Sequence, residues 1–332
     1  MAGKKGKKLL LLASIMVVIT AVSSLITYGV SVPKTYKENN ISIVTSFYPM
    51  YIATLNLTEG IDGVQVENLM SQQVGCPHDY QLTTGDMKKL EQADLLLING
   101  AGMESYIEEV ADSYKNLTIV DSSENISLLE GEEHHHEEET TAHEEEVAHI
   151  EEEHGEHEEH DHGAYNGHMW MDPTRYMIQL DNLAKGLIAK DPAHEAEYEA
   201  NLKSYKERIT KVWKQYEELG TSKENQVIIF HDAMEYLMNR LGVEVPYSID
   251  IDGETSLSAG EIAEVIEEVK AHNIKVLFIE EQFDANIANR IAQETNAKVY
   301  VLDTMVNGDM DQDAYVSGLT ANLKVIKEAL YQ

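Results

Sequence analysis

The sequence predicts an α/β protein of two Rossmann-like lobes with parallel sheets, joined by a long rigid helix. Three observations carry this. Between Ile41 and Asp121, apolar strand-like runs alternate with helical periodicity, the pattern of βαβ units around a parallel sheet. The same alternation returns after residue 221. Between the halves, an amphipathic stretch from about Ala193 to Leu219 is long enough, as a helix, to touch both lobes and limit hinge motion.

In the first half, Ile41–Phe47 and Val64–Met70 read as strands. Asp94–Asn99 holds a continuous apolar run, Leu95 to Ile98, suited to a parallel strand buried on both faces. Leu117–Asp121 completes the set. Tyr48–Leu57, Thr84–Ala93 and Met103–Tyr114 carry helical periodicity. In the second half the strands are Gln226–Phe230, Val243–Ile249, Lys275–Ile279 and Lys298–Leu302. The helices there are Ala233–Leu241, Ala259–Ala271, Ala285–Thr295 and Asp313–Leu330. A further helix begins near Pro173, where Asp172 reads as an N-cap with proline at the first helical position. The expected organisation is a first lobe over 41–190, a linking helix over 191–220 and a second lobe over 221–332.

The chain has 332 residues and 43% hydrophobic composition, enough for a packed core in each lobe. Its formal charge of -34 argues against nucleic acid and against a basic surface for anionic lipid, and favours cations. A single cysteine, Cys76, excludes an internal disulfide framework and a cysteine-rich zinc finger. At the N-terminus, Lys4, Lys5, Lys7 and Lys8 precede an apolar run from Leu9 to about Val30. That is a secretory signal or an uncleaved anchor. With no Ala-x-Ala site and no following cysteine to take a lipid, residues 1–30 read better as an anchor, and 31–40 as a polar tether. Either way the rest of the chain is expected outside the cytoplasmic membrane, since the lysines stay on the cytoplasmic side.

Three histidines stand apart from the rest. His78 sits in Cys76-Pro77-His78-Asp79-Tyr80, His168 precedes the helix at Pro173, and His231 ends the apolar run Val227–Phe230. Asp303 ends the run Val299–Leu302. In open α/β sheets, ligands bind beyond the carboxyl ends of strands. Imidazole nitrogens with one carboxylate suit tetrahedral Zn²⁺. Each residue taken alone has a plain structural reading: a hydrogen-bonded rim histidine, or a loop acceptor for Asp303.

Together these segments resemble a known family, the zinc- and manganese-binding proteins of bacterial ABC uptake transporters. The resemblance runs from about Ile43 to the C-terminus. It rests on Ser46-Phe47-Tyr48-Pro49, on Pro77-His78-Asp79-Tyr80-Gln81 followed by Asp86–Glu104, on His168-Met169-Trp170-Met171-Asp172-Pro173, and on Phe230-His231-Asp232-Ala233. It implies a metal in the cleft between the lobes, with His78 and His168 from the first lobe and His231 and Asp303 from the second. Histidine at the third position marks the zinc-type members and glutamate the manganese-type, so His231 implies Zn²⁺ ahead of Mn²⁺ or another divalent ion. The resemblance also implies a monomer that serves a membrane permease and its ATPase. Cys76 departs from the family pattern, as a small buried side chain or as a thiolate ligand. Water is the alternative to Asp303 as last ligand. Glu280 and Glu281 read as groups behind the ligands.

Glu130–Gly163 is low-complexity, with nine histidines among many glutamates. A pure charge run would be a solvated stretch, but interspersed histidines suit weak, exchangeable metal capture. That capture should weaken in mild acid, where protons compete for imidazole. His194 and His272 read as surface residues. A secreted zinc enzyme is the rival class, but the sequence has no His-Glu-x-x-His, Gly-x-Ser-x-Gly or Walker-type pattern. A surface metal buffer or adhesin is the other alternative.

Overall fold

The computed structural model describes residues 40–70, 77–131, 165–249, 257–280 and 285–332. The expected anchor and tether, Cys76, Glu281 and the Glu/His tract from residue 132 onward lie outside the described residues. Among the described residues, no helix is long and apolar enough to cross a membrane.

The first sheet holds β1 (Ile41–Thr45), β2 (Val64–Asn68), β3 (Leu95–Ile98) and β4 (Thr118–Asp121) in the order β2-β1-β3-β4. All its pairs are parallel, with Ile43 opposite Val66 on one side and Leu95 on the other. Helices α1 (Tyr48–Leu57), α2 (Thr84–Gln92) and α3 (Ile107–Ser113) make the crossovers. The second sheet repeats the order as β6-β5-β7-β8, from β5 (Gln226–Ile229), β6 (Glu244–Ser248), β7 (Val276–Glu280) and β8 (Lys298–Leu302). It too is parallel throughout. Strands β3 and β7 are buried at every position, as their unbroken apolar runs require.

Between the sheets run α4 (Pro173–Lys190) and α5 (Glu195–Glu217). Asp172 caps α4 by accepting the Thr174 N–H at 2.8 Å, with Pro173 in the first turn. The Asp191-Pro192 step ends α4, and a short 3₁₀ turn over Pro192–His194 leads into α5. At 1.5 Å per residue α5 is about 33 Å long. It is tied to both halves. Arg208 donates to Asn56 Oδ1 at 2.6 Å and to the Gln312 carbonyl at 3.0 Å, while the Tyr216 hydroxyl donates to the Leu319 carbonyl at 2.7 Å. The remaining helices are α6 (Glu235–Leu241), α7 (Ala259–Ala271), α8 (Ala285–Thr295) and α9 (Ala314–Tyr331).

One hydrophobic core passes through both lobes, from Ile43 and Leu96 through Trp170, Tyr176 and Tyr205 to Phe278 and Leu319. Tyr176 of α4 stacks on Tyr315 of α9 at 4.0 Å. A second cluster, with Ile228, Ile262 and Ile291, fills the other face of the second sheet.

The helix expected over Met103–Tyr114 starts later, at Ile107. The preceding residues serve another purpose. Ala101 and Gly102 turn left-handed, at φ +56° and +83°. The turn lets the Glu104 carboxylate accept the N–H groups of Asn99 at 2.8 Å and Gly100 at 3.0 Å.

Candidate metal centre

His231 follows β5, and Glu280 is the last residue of the neighbouring β7. In the order β6-β5-β7-β8 the crossovers leave β5 and β7 in opposite directions. The crevice beyond their carboxyl ends is therefore the second lobe's natural ligand position. The buried Glu280 carboxylate accepts the His231 Nδ1–H and the Thr304 hydroxyl at 3.2 Å. With Nδ1 donating, the neutral ring carries its lone pair on Nε2. The His231 backbone stands at φ +132°, ψ +135°. That region is sparsely open to residues with a Cβ and costs on the order of 1–3 kcal/mol.

His168 lies on the segment that leads into α4 and is 3% exposed. Its Nδ1 is 3.0 Å from Asn166 Oδ1, which also accepts the His168 backbone N–H at 2.9 Å. The Trp170 indole lies tilted against the His168 ring at 5.1 Å, and its Nε1 donates to the Thr304 carbonyl at 2.9 Å. The rings of His168 and His231 meet edge to face, 4.9 Å between centroids. Asp232 lies beside both, with Oδ1 3.3 Å from His168 Nδ1 and 3.4 Å from His231 Nε2. Taking one ligand atom from each of His168, His231 and Asp232, all lie within 4.8 Å of one another. Donors bound to one zinc at about 2.1 Å stand roughly 3.4 Å apart, so a small adjustment closes the group on an ion.

His78 sits on the 3₁₀ turn Pro77–Asp79, several residues beyond the end of β2. Its ring is 6.5 Å from that of His168, at 83°. The turn is held from both sides. The Tyr80 hydroxyl donates to Asp86 Oδ2 at 2.6 Å, where Asp86 closes the capping box of α2 with Thr83. Burial works against the Asp86 anion, but the hydrogen bonds from Thr83 and Tyr80 outweigh it and hold the carboxyl below its usual range. On the other side Ser105 donates to the His78 carbonyl at 3.4 Å.

Asp303 directly follows β8. Its backbone is bracketed by Asn322 of α9, which accepts the Asp303 N–H at 2.9 Å and donates to its carbonyl at 2.7 Å. Its Oδ1 accepts the Met305 N–H at 2.7 Å. The loop lies so close to α9 that a Cβ on Gly318 would stand 3.0 Å from Asp303 Oδ2. Among the described residues, the three-residue grouping contains His168 and His231 but not His78 or Asp303. It contains Asp232, which the sequence places in the motif after His231 but not among the expected ligands.

Other residues around the centre have roles that the sequence did not show. Asp172 is fully buried and does more than cap α4. It accepts from Arg175 at 2.6 Å and from both Nε and Nη2 of Arg240, on α6, at 2.9 and 2.7 Å. Burying that carboxylate is tolerable only because both guanidiniums compensate it. Asn166, two residues before His168, reaches Asp232 and Glu235 in the second lobe. The only sequence signal for it was its nearness to His168. His194 pairs with Asp191 at 2.6 Å and His272 with Glu268 at 3.3 Å, each on its own local segment.

The family model described as the periplasmic zinc-uptake complex component A, ZnuA, matches residues 43–329. Zinc-binding protein AdcA of Streptococcus pyogenes is 30% identical over 277 residues, which is 81% of this chain and 51% of that protein. The chain thus spans about half the length of the AdcA relatives it matches. The high-affinity zinc uptake system protein ZnuA of Bacillus subtilis is 29% identical over 334 residues, 98% of each chain. Among solved structures, the Zn(II)-bound ZnuA-like domain of Streptococcus pneumoniae AdcA shares the fold at a TM-score of 0.69 and 23% identity, covering 88% of this chain and 100% of that one. With the matched region running through both sheets and every segment around the centre, the chain belongs to the family of periplasmic zinc-uptake complex component A.

Proposed function

We propose that this chain is an extracytoplasmic zinc-binding protein that captures one Zn²⁺ as transport substrate and hands it to a membrane permease driven by an ATPase. In this reading it acts as a monomer without catalysis of its own, held at the outer face of the membrane by its N-terminal segment. The observation that carries the reading is the pair of imidazoles at 4.9 Å, His168 and His231, each with Nδ1 against an oxygen acceptor. With the proton on Nδ1, each neutral ring carries its lone pair on Nε2, the state in which metal-binding histidines ligate while the other nitrogen donates. His78 and Asp303 complete the ligand set. A set of three imidazoles and one carboxylate is softer than the carboxylate-rich set that suits Mn²⁺.

The test is a zinc titration of the His231→Ala variant. Affinity should fall by roughly two orders of magnitude or more, with the fold intact, because a ligand is lost outright. His194→Ala and His272→Ala should bind zinc as the parent does. Unchanged affinity in His231→Ala would remove His231 from the site.

The Glu/His tract acts as a collector in the same reading. Its flanks meet, since Glu130 bridges Tyr165 and the Asn166 N–H donates to the Leu129 carbonyl at 3.0 Å. Deleting 132–163 should therefore leave one tight zinc site and remove weaker ones in calorimetry. Unchanged total stoichiometry would show that the tract is not a metal-binding element.

A further inference from the structure

We propose that Asn166 is a positioning residue for the metal centre, setting the tautomer of His168 and tying that ring to the His231 segment of the opposite lobe. The inference rests on the reading of His168 as a zinc ligand. Asn166 is 2% exposed, and its side chain meets four atoms of three residues, His168, Asp232 and Glu235. One of them fixes its orientation. The His168 backbone N–H can only donate, so the amide atom 2.9 Å away is the oxygen. That oxygen cannot donate, so the His168 Nδ1, 3.0 Å from it and 3.3 Å from Asp232 Oδ1, carries the proton. The neutral ring is left with its lone pair on Nε2. The amide nitrogen then faces two acceptors of the second lobe, the Asp232 carbonyl and Glu235 Oε2, each at 3.0 Å.

The Asn166 backbone makes the same crossing. Its carbonyl accepts the Tyr236 hydroxyl at 2.7 Å, and that hydroxyl also accepts the Leu129 N–H at 3.0 Å. One turn further along α6, Arg240 holds Asp172. Asp232, Glu235, Tyr236 and Arg240 recur at helical spacing. Asp232 on the 3₁₀ turn and the other three on α6 grip residues on either side of His168, so this turn and helix together register His168 against His231.

The experiment uses the full chain with Asn166→Ala, Asn166→Asp and, as control, His168→Ala. Two quantities are read: zinc affinity by chelator competition, and the ¹⁵N shifts of the His168 ring in metal-free protein. Asn166→Ala removes both functions. It should weaken zinc binding by about 10–100-fold, the usual cost of losing an outer partner of a metal-binding histidine, and should leave Nδ1 with the longer Asp232 contact, so that the His168 tautomers mix in part. Asn166→Asp keeps the acceptor but loses the donor and sets a carboxylate against Glu235. It should keep the tautomer and still weaken binding. If Asn166→Ala leaves affinity within about two-fold and the tautomer unchanged while His168→Ala abolishes tight binding, the proposal is overturned, even if the melting temperature falls. If His168→Ala itself binds zinc normally, the ligand reading beneath the proposal fails instead.

Discussion

Replacing Glu280 with Ala separates the chemistry of the site from its shape. Glu280 is buried at the end of β7, accepting the His231 Nδ1–H through one oxygen and the Thr304 hydroxyl through the other. In the Ala variant both donors lose their acceptor and the His231 ring can place its proton on either nitrogen. Part of the imidazole population then points the wrong atom at the ion, and the ring loses its orientation. Losses of this kind amount to about 10–100-fold in metal affinity, or about 1.4–2.7 kcal/mol. The same change should lower folding stability by about 1–3 kcal/mol, since buried donors go unmet. Gln at this position keeps an oxygen for Nδ1 but loses the charge and turns an amide NH₂ towards Thr304, whose hydroxyl can rotate to accept it. The expected affinity order is Glu, then Gln at a small loss, then Ala. Chelator competition with zinc, run beside urea unfolding at one pH, measures both terms. Zinc affinity unchanged in Glu280→Ala, or equal losses for Gln and Ala, would refute the tautomer argument.

Two further predictions concern the supports of the site. Burial pushes the Glu104 carboxyl up from 4.5 to about 7, with the N–H groups of Asn99 and Gly100 opposing. A raised acid contributes stability in full below its unfolded value and loses it as pH climbs through the folded value. The stability difference between the parent and Glu104→Gln should therefore shift against the parent by about 3 kcal/mol between those two pH values. A pH-independent difference in urea unfolding would contradict this. Gly318→Ala would bring a Cβ to 2.8 Å from Met305 Cγ and 3.0 Å from Asp303 Oδ2. Overpacking of about 1–3 kcal/mol against a helix-propensity gain of about 1 kcal/mol leaves a net loss of about 1 kcal/mol. A neutral or stabilised variant would show that the Asp303 loop has room to move.

The parts of the fold that could be read in the sequence are those dictated by local patterns. Leu95–Ile98 and Val276–Ile279 are apolar without interruption, and such runs have few places to go except a parallel sheet covered on both faces. The cap at Asp172-Pro173 is likewise local chemistry, and the structure has it. What local pattern does not carry is a partner distant in the chain. Arg240 reaches Asp172 across 68 residues, and nothing in either neighbourhood signals the pairing. The late start of α3 has the same origin, because Glu104 is claimed by the loop after β3 instead of by helix. At the site, His168 and His231 were legible through their motifs. Asn166 and Asp232 were not, since an amide or carboxylate beside a histidine is ordinary until the opposite lobe is in view. Glu280 lies between these cases: its place at a strand end suggested a group behind the ligands, and it stands against His231.

The most direct test of the whole account is anomalous diffraction at the zinc absorption edge from crystals of the zinc-loaded protein. One strong peak is expected in the cleft, about 2.0–2.1 Å from Nε2 of His168, His231 and His78, with Asp303 closing the shell. A principal peak away from His168 and His231, or one bound through their Nδ1 atoms, would contradict it.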